Sequence, residues 1–155
     1  MSHDIPVTGA WRPGDPPGRR QFATLFDARP HVLETGGRLA NVTVAYETWG
    51  ELNANRDNAL LVLHALTGDS HAAGPAGPGH GFEGWWDALV GPGKAIDSDR
   101  FFVVCPNVLG GCQGTTGHCG AYPDGSGASK SHARHRAPHH PSAVPGSRRR
   151  DLFTL

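Results

Sequence analysis

Two segments of this 155-residue sequence place small and polar residues directly after an apolar run. The first, Asn58–His71, reads NALLVLHALTGDSH, and the second, Arg100–Cys119, contains FFVVCP followed by NVLGGCQGTTG. In α/β enzymes the active site lies at the carboxyl ends of the strands, on loops of this kind. The two segments therefore predict one rim of an active site.

Cysteine and histidine residues near the C-terminus resemble a zinc site in composition, but their spacing does not fit one. Cys112 and Cys119 do not form the C-x2-C pair that is common in closed zinc sites. We expect the neighbouring histidines to be solvated, with at most the weak metal binding of a histidine-rich tract. They are His118, His132, His135, His139 and His140. The three cysteines fit no secreted disulfide framework, which favours a reducing compartment.

The glycine-rich loop Gly110–Gly117 resembles a phosphate loop only superficially. It lacks the pattern G-x-x-x-x-G-K-[ST], because no lysine follows the glycines, so we expect a tight turn instead. Cys112 within it would be a nucleophile only beside a histidine base, and nothing in the sequence places one there. His64 is expected to be a hydrogen-bonded structural residue and not a base.

Two further features favour structural roles over functional ones. Trp85 and Trp86 would form an aromatic platform for a substrate, but such a pair more often packs in a core. The run Arg148–Arg150 has no interleaved aromatic residues, so it is a poor signal for nucleic-acid binding. We predict neither a substrate platform nor a nucleic-acid site.

The elements that position these loops are predicted to be mostly strands. Val32 and Leu33 precede the turn signal Gly36-Gly37, and apolar residues spaced mostly by two follow, which predicts a β-hairpin with one buried face. These following residues are Leu39, Val42, Val44 and Tyr46. Ala59–His64 is apolar on both faces, which suits a central strand of a parallel or mixed sheet.

A βαβ unit is predicted from the order of the next elements. Trp85, Trp86, Leu89 and Val90 have the spacing of one face of a short helix, which Gly91-Pro92-Gly93 would end. Phe101–Cys105 is a second apolar strand, and the crossover to it should be right-handed. The long segment between the first strand and the helix is rich in glycine and suits a functional loop.

Composition and charge divide the chain into three parts. Residues 1–20 lack any periodic pattern and predict a flexible leader without a secretory signal, and no apolar run is long enough to span a membrane. Residues 21–117 form the predicted domain, and up to Gly117 the chain carries 8 Lys/Arg against 12 Asp/Glu. Residues 118–155 carry 6 against 2, have little apolar periodicity, and predict a disordered basic tail. A cytoplasmic location is expected.

Three runs together resemble a known family. They are VAYETWGELN (Val44–Asn53), LVLHALTGDSH (Leu61–His71) and the continuous segment Gly84–Gly117. They look like the amino-terminal part of homoserine O-acetyltransferase, an acyltransferase of methionine biosynthesis with the α/β-hydrolase fold. The resemblance covers roughly Phe26–Gly117. It implies an incomplete α/β-hydrolase fold, built from the hairpin and the first βαβ part of the sheet.

The resemblance implies a two-step acyl transfer. A serine, assisted by histidine and aspartate, would take the acetyl group from acetyl-CoA and pass it to the hydroxyl of L-homoserine. The developing oxyanion needs two backbone N–H donors, of which one follows an early strand. By motif match that loop is His64–Gly68, and the N–H of Leu66 is the candidate donor. The family implies a homodimer, no permanently bound cofactor and no metal.

The reactive serine of this family is not found in the sequence. A strict G-x-S-x-G motif requires glycine two residues before and two residues after the serine, and no serine here meets both conditions. Ser70 comes nearest, since Gly68 precedes it, but Ala72 follows. The aspartate and histidine belong to later parts of a longer chain. We therefore predict an inactive chain that carries one wall of an active site.

The tail from His118 suggests a change of reading frame. A switch to Arg, His, Pro, Ser and Gly is typical of a GC-rich gene read out of frame, so we expect a frameshift or misplaced gene end near codon 118. Such a fragment would expose apolar strand edges and dimerise poorly. The alternatives are a non-enzymatic remnant and a relative that transfers succinyl groups or hydrolyses esters.

Overall fold

The computed structural model describes residues 9–117. This part of the chain folds into short strands joined by turns and contains no α-helix, and therefore none long and apolar enough to cross a membrane. The predicted basic tail, residues 118–155, lies outside the described residues. The strands are β1 (Gln21–Leu25), β2 (His31–Val32), β3 (Arg38–Leu39), β4 (Val42–Trp49), β5 (Ala59–Leu61), β6 (Val90–Gly91), β7 (Ile96–Asp97) and β8 (Phe102–Pro106).

Four of the strands form the main sheet, in the order β1-β4-β8-β5. β4 is antiparallel to β1 and β8, whereas β5 and β8 are parallel. The sequence of β4, VTVAYETW, is rich in β-branched and aromatic residues, which favour a strand with neighbours on both sides. Ala45 and Glu47 follow each other on one buried face of β4. A carboxylate is thus placed in the interior of the sheet.

The predicted hairpin is confirmed in a short form. His31 of β2 pairs with Leu39 of β3, and the turn between them is closed by the N–H of Leu33, which donates to the carbonyl of Gly37 at 2.8 Å. Gly36 has a φ of 84°, which glycine adopts without steric cost. The apolar residues from Val42 onward are not part of the hairpin. They belong to β4, which pairs with β1 and β8.

The two apolar strands are found, but one has a different place in the sheet. The predicted strand Phe101–Cys105 is confirmed as β8, shifted by one residue. Ala59–His64 was expected to be central, yet only Ala59–Leu61 forms a strand, and within residues 9–117 it lies at the sheet edge. Leu63 is 63% exposed. An apolar pattern on both faces indicates two flanking strands, and the described residues supply one.

The predicted helix at Trp85–Val90 is wrong. The chain makes turns there, with the N–H of Asp87 donating to Gly84 and that of Leu89 donating to Trp86. Val90 then enters β6 and pairs with Ile96 of β7. The connection between the parallel strands β5 and β8 is therefore a long loop with a small two-stranded sheet, and the βαβ prediction fails at its helix.

The core lies beneath the main sheet and includes part of this long connection. Its buried members are Val62, Ala72, Ala73, Val90, Val103 and Cys105. The Cys105 thiol is free, and burial raises its pKa to about 12. A protonated thiol in this position acts as a small apolar side chain.

Residues 9–20 are mostly exposed but make specific contacts with the rest of the described chain. The N–H of Trp11 donates to the carbonyl of Cys112 at 2.9 Å. The guanidinium of Arg20 is buried, lies 3.5 Å from Asp69 and donates to the side chain of Gln113 at 2.6 Å. These partners are far away in the sequence, so no local pattern of residues indicates them.

Candidate functional site

The loop His64–Gly68 follows β5 and is held at both ends. The His64 ring contacts the carbonyl of Ala65 through Nδ1 at 2.6 Å, and its Nε2 accepts a hydrogen bond from the N–H of Val108 at 3.1 Å. Both contacts are satisfied by a neutral ring with the proton on Nδ1. His64 is thus a hydrogen-bonded structural residue, as predicted. The N–H of Gly68 donates to Ala65 at 2.8 Å and closes the turn.

Leu66 occupies the tip of this turn. Its side chain is 95% exposed, and its N–H has no hydrogen-bond acceptor among residues 9–117. Oxyanion sites in general use main-chain N–H groups that are held in place before the substrate binds. The side chain makes little contact, so the geometry of the turn depends on His64, Ala65 and Gly68.

The second predicted segment, behind β8, continues to pair with β4. The hydroxyl of Thr115 donates to the carbonyl of Asn107 at 2.8 Å and accepts the N–H of Ala45 at 3.0 Å. The N–H of Thr116 donates to Thr43 at 2.8 Å. The loop is a tight turn anchored on the sheet. The bond between Val108 and His64 brings the two predicted segments together.

Ser70 is placed where it cannot act as a nucleophile in this arrangement. Its side chain is fully buried, and its hydroxyl donates to Oε1 of Glu47 at 3.3 Å. A serine nucleophile needs a base that removes its proton and an open path to the substrate. Within the described residues Ser70 is buried and has no open path.

A buried cluster of Glu47, His71 and His80 lies next to Ser70, and sequence reasoning missed it. Oε2 of Glu47 is 3.0 Å from Nδ1 of His71, and Oε1 is 3.2 Å from Nε2 of His80. All three residues are at least 93% buried, and the two rings stack with centroids 3.7 Å apart. The one signal in the sequence is Glu47, the single charged residue in the run VTVAYETW.

Burial and the neighbouring charges favour the neutral form of His80. Burial lowers the pKa of His80 to about 4, and the positive charge of Arg20 contributes in the same direction. The guanidinium of Arg20 is itself paired with Asp69, and burial lowers its pKa too. Arg19 is half exposed, and its Nε lies 4.0 Å from Glu47.

A cavity of about 560 Å³ opens beside the cluster. Its wall combines the end of the Leu66 loop, the two stacked histidines and aromatic side chains. Among its lining residues are Trp11, Arg20, Asp69, His71, His80 and Trp85.

Two other sequence predictions have clear outcomes. Trp85 and Trp86 are 36% and 40% exposed, so the prediction that they pack in the core is wrong, and Trp85 lines the cavity. The Nε1–H of Trp85 donates to the carbonyl of Asp69 at 3.0 Å. Cys112 is disulfide-bonded, so its sulfur is not a nucleophile here.

No family model matches the chain. By sequence it is 62% identical over 129 residues to a protein named homoserine O-acetyltransferase from Thermobifida fusca, covering 81% of this chain and 34% of the relative. The chain spans about a third of the length of the curated relatives it matches. A match to 81% of the chain is longer than residues 1–117, so similarity continues past Gly117, further than predicted.

The chain is also similar to solved structures of a homoserine O-acetyltransferase and of an esterase. Homoserine O-acetyltransferase from Bacillus anthracis superposes with a TM-score of 0.58 at 34% identity, over 70% of this chain and 30% of that protein. Esterase E22 superposes with a TM-score of 0.58 at 32% identity, over the same shares of the two chains.

Proposed function

The chain belongs to the homoserine O-acetyltransferase family, and on this premise we propose that it supplies the oxyanion-binding loop for transfer of an acetyl group from acetyl-CoA to the hydroxyl of L-homoserine. This reaction would place it in methionine biosynthesis. The described residues form part of an α/β-hydrolase fold. The main support for the role of the loop is the exposed turn that carries the N–H of Leu66, which has no acceptor among residues 9–117.

The N–H of Leu66 would stabilise charge on the acetyl carbonyl oxygen. When a nucleophile adds to that carbonyl, the oxygen becomes negative and accepts hydrogen bonds from N–H groups that are already in place. Leu66 offers one such N–H, in a turn fixed by the contacts of His64 with Ala65 and Val108. Substitution of its side chain should therefore have little effect as long as the turn persists.

We further propose that the 155-residue chain alone does not turn over substrate. The sequence has no G-x-S-x-G motif, and Ser70, the nearest approach to one, is buried with its hydroxyl directed to Glu47. Dimerisation and the cytoplasmic location stay predictions from the sequence.

An assay of the purified chain tests this proposal. Acetyl-CoA and L-homoserine are incubated with the protein, and release of free coenzyme A is followed with a thiol reagent. We expect no release above the rate in buffer. Turnover that scales with protein concentration and requires L-homoserine would overturn the inactivity. Succinyl-CoA in a parallel assay tests the succinyl alternative.

Ester hydrolysis is the second candidate function, because esterase E22 superposes as well as the acetyltransferase does. Hydrolysis would use the same oxyanion donor, with water in place of L-homoserine as the acyl acceptor. Hydrolysis of a chromogenic acetyl ester by the purified chain, without L-homoserine, would overturn the inactivity and favour an esterase.

A further inference from the structure

We propose that Glu47, His71 and His80 form a binding site for a divalent transition-metal ion such as Zn²⁺. This inference is independent of the proposed function, because it rests on the buried cluster alone. The three side chains come from two parts of the fold, since Glu47 lies on β4 and both histidines lie in the connection between β5 and β6.

The spacing of the donor atoms suits a small metal ion. Four-coordinate zinc has ligands at about 2.0–2.1 Å, which places neighbouring ligand atoms about 3.4 Å apart. Oε2 of Glu47 lies 3.0 Å from Nδ1 of His71, and Oε1 lies 3.2 Å from Nε2 of His80. One donor atom from each of the three residues lies within 4.8 Å of the other two, so a ring rotation and a shift of the carboxylate would have to bring one oxygen within reach of the ion.

The cluster is not satisfied by hydrogen bonds within the described part of the protein. Nε2 of His71 and Nδ1 of His80, the ring nitrogens opposite to those that face Glu47, are buried without a partner. Nε2 of His80 lies 3.3 Å from the N–H of Arg19, and if it accepts that bond, its lone pair also faces Oε1 of Glu47. Two acceptors that face each other in a buried site repel unless a proton or a cation lies between them.

Binding of a metal ion requires movement of one histidine ring and of the Arg19 side chain. The rings are within 9° of parallel, and a ligated ion lies in the plane of each imidazole, so one ring must rotate. The guanidinium of Arg19 can leave Glu47 for solvent, because its side chain is 53% exposed. Arg20 is paired with Asp69, whose carboxylate offsets part of the positive charge near the cluster.

The chemistry of the donors selects the class of ion. Two imidazole nitrogens and one carboxylate oxygen suit zinc and similar transition metals, whereas magnesium and calcium prefer oxygen ligands throughout. Both histidines line the cavity, so the fourth coordination position can open to solvent or to a small ligand there. A site with three protein ligands and one open position is the form found in catalytic zinc centres.

A titration with Co²⁺ tests the site, because visible absorption of Co²⁺ is strong in four-coordinate environments. The protein is the full chain with the five C-terminal histidines changed to Gln, so that they do not bind metal: His118, His132, His135, His139 and His140. We expect one equivalent of Co²⁺ with a four-coordinate spectrum, displaced by Zn²⁺. Absence of a saturable four-coordinate band would overturn the proposal.

Two variants and a control assign the ligands. His80→Phe keeps a ring against His71, and Glu47→Gln keeps the shape of the side chain, and each should weaken Co²⁺ binding at least tenfold. His31→Gln, an exposed histidine on β2, should leave it unchanged. Unaltered binding in both test variants would contradict the assignment. If the variants do not fold, X-ray absorption of the zinc-loaded parent decides: two imidazole ligands support the site, and a shell without imidazole overturns it.

Discussion

Nε2 of His64 accepts a hydrogen bond from the backbone N–H of Val108 at 3.1 Å, and this bond joins the loops behind β5 and β8. His64 also contacts the carbonyl of Ala65, which in turn accepts the N–H of Gly68. One ring therefore fixes the turn that presents Leu66. The geometry of a candidate oxyanion donor depends on a side chain that has no chemical role of its own.

Replacing His64 should loosen this turn. His64→Phe removes both polar contacts and keeps a ring of similar size, so we expect a loss of about 1 kcal/mol in the free energy of unfolding. The amide of Val108 should exchange with deuterium at least tenfold faster. Urea unfolding and hydrogen exchange measure the two effects, with His31→Phe as the exposed control. Unchanged exchange at Val108 would show that the bond does not hold the loop.

The lowered pKa of His80 predicts a stability that depends on pH. Its pKa is about 4 in the folded protein against 6.5 for an unperturbed histidine, so only the unfolded chain takes up the proton between these values. Stability is complete above pH 6.5 and falls as the pH decreases towards 4, by up to about 2 kcal/mol at pH 5. Urea unfolding at pH 7.5 and pH 5, with EDTA present, measures this loss.

His80→Phe provides the comparison for that prediction. The variant lacks the titrating group, so its stability should fall less between pH 7.5 and pH 5 than that of the parent chain. An equal fall in the two proteins would assign the pH dependence to other groups.

Alanine substitutions at two glycines with positive φ distinguish the cost of backbone strain from the cost of a steric collision. Gly36 has a φ of 84° and open space where a side-chain methyl group would lie, whereas a methyl group at Gly50, φ 75°, would collide with the carbonyls of Ser98 and Phe101. Gly36→Ala should cost about 1 kcal/mol, and Gly50→Ala should cost clearly more, because the backbone must also move. Thermal unfolding of both variants provides the test. Equal losses of stability in the two variants would show that Gly50, at the end of β4, does not lie this close to the carbonyls of Ser98 and Phe101.

Local sequence patterns predicted the elements whose contacts are near in the chain. The turn at Gly36-Gly37 is set by residues beside it, and β8 by a continuous apolar run. The helix at Trp85–Val90 failed because its apolar spacing was outweighed by contacts outside the segment: the N–H of Trp86 donates to Ala72, and Val90 pairs with Ile96. Tertiary contacts of this kind override a short periodic pattern.

The candidate site was predictable only in part, for the same reason. The Leu66 loop could be located because its sequence resembles a family motif. The cluster of Glu47, His71 and His80 could not, because Glu47 is 24 residues from His71 and no spacing rule connects them. Only the folding of the long connection over β4 brings the carboxylate and the imidazoles together.

The most direct test of the central claim is a chimera with a complete relative. Residues 9–117 of this chain replace the matching segment of the Thermobifida fusca homoserine O-acetyltransferase, and coenzyme A release from acetyl-CoA with L-homoserine is measured. We expect an active chimera in which Leu66→Pro, which removes the N–H, lowers kcat by about 10²–10³-fold, while Leu66→Ala changes it less than about threefold. An active chimera that Leu66→Pro leaves at full rate would contradict the assignment of Leu66 as the oxyanion donor.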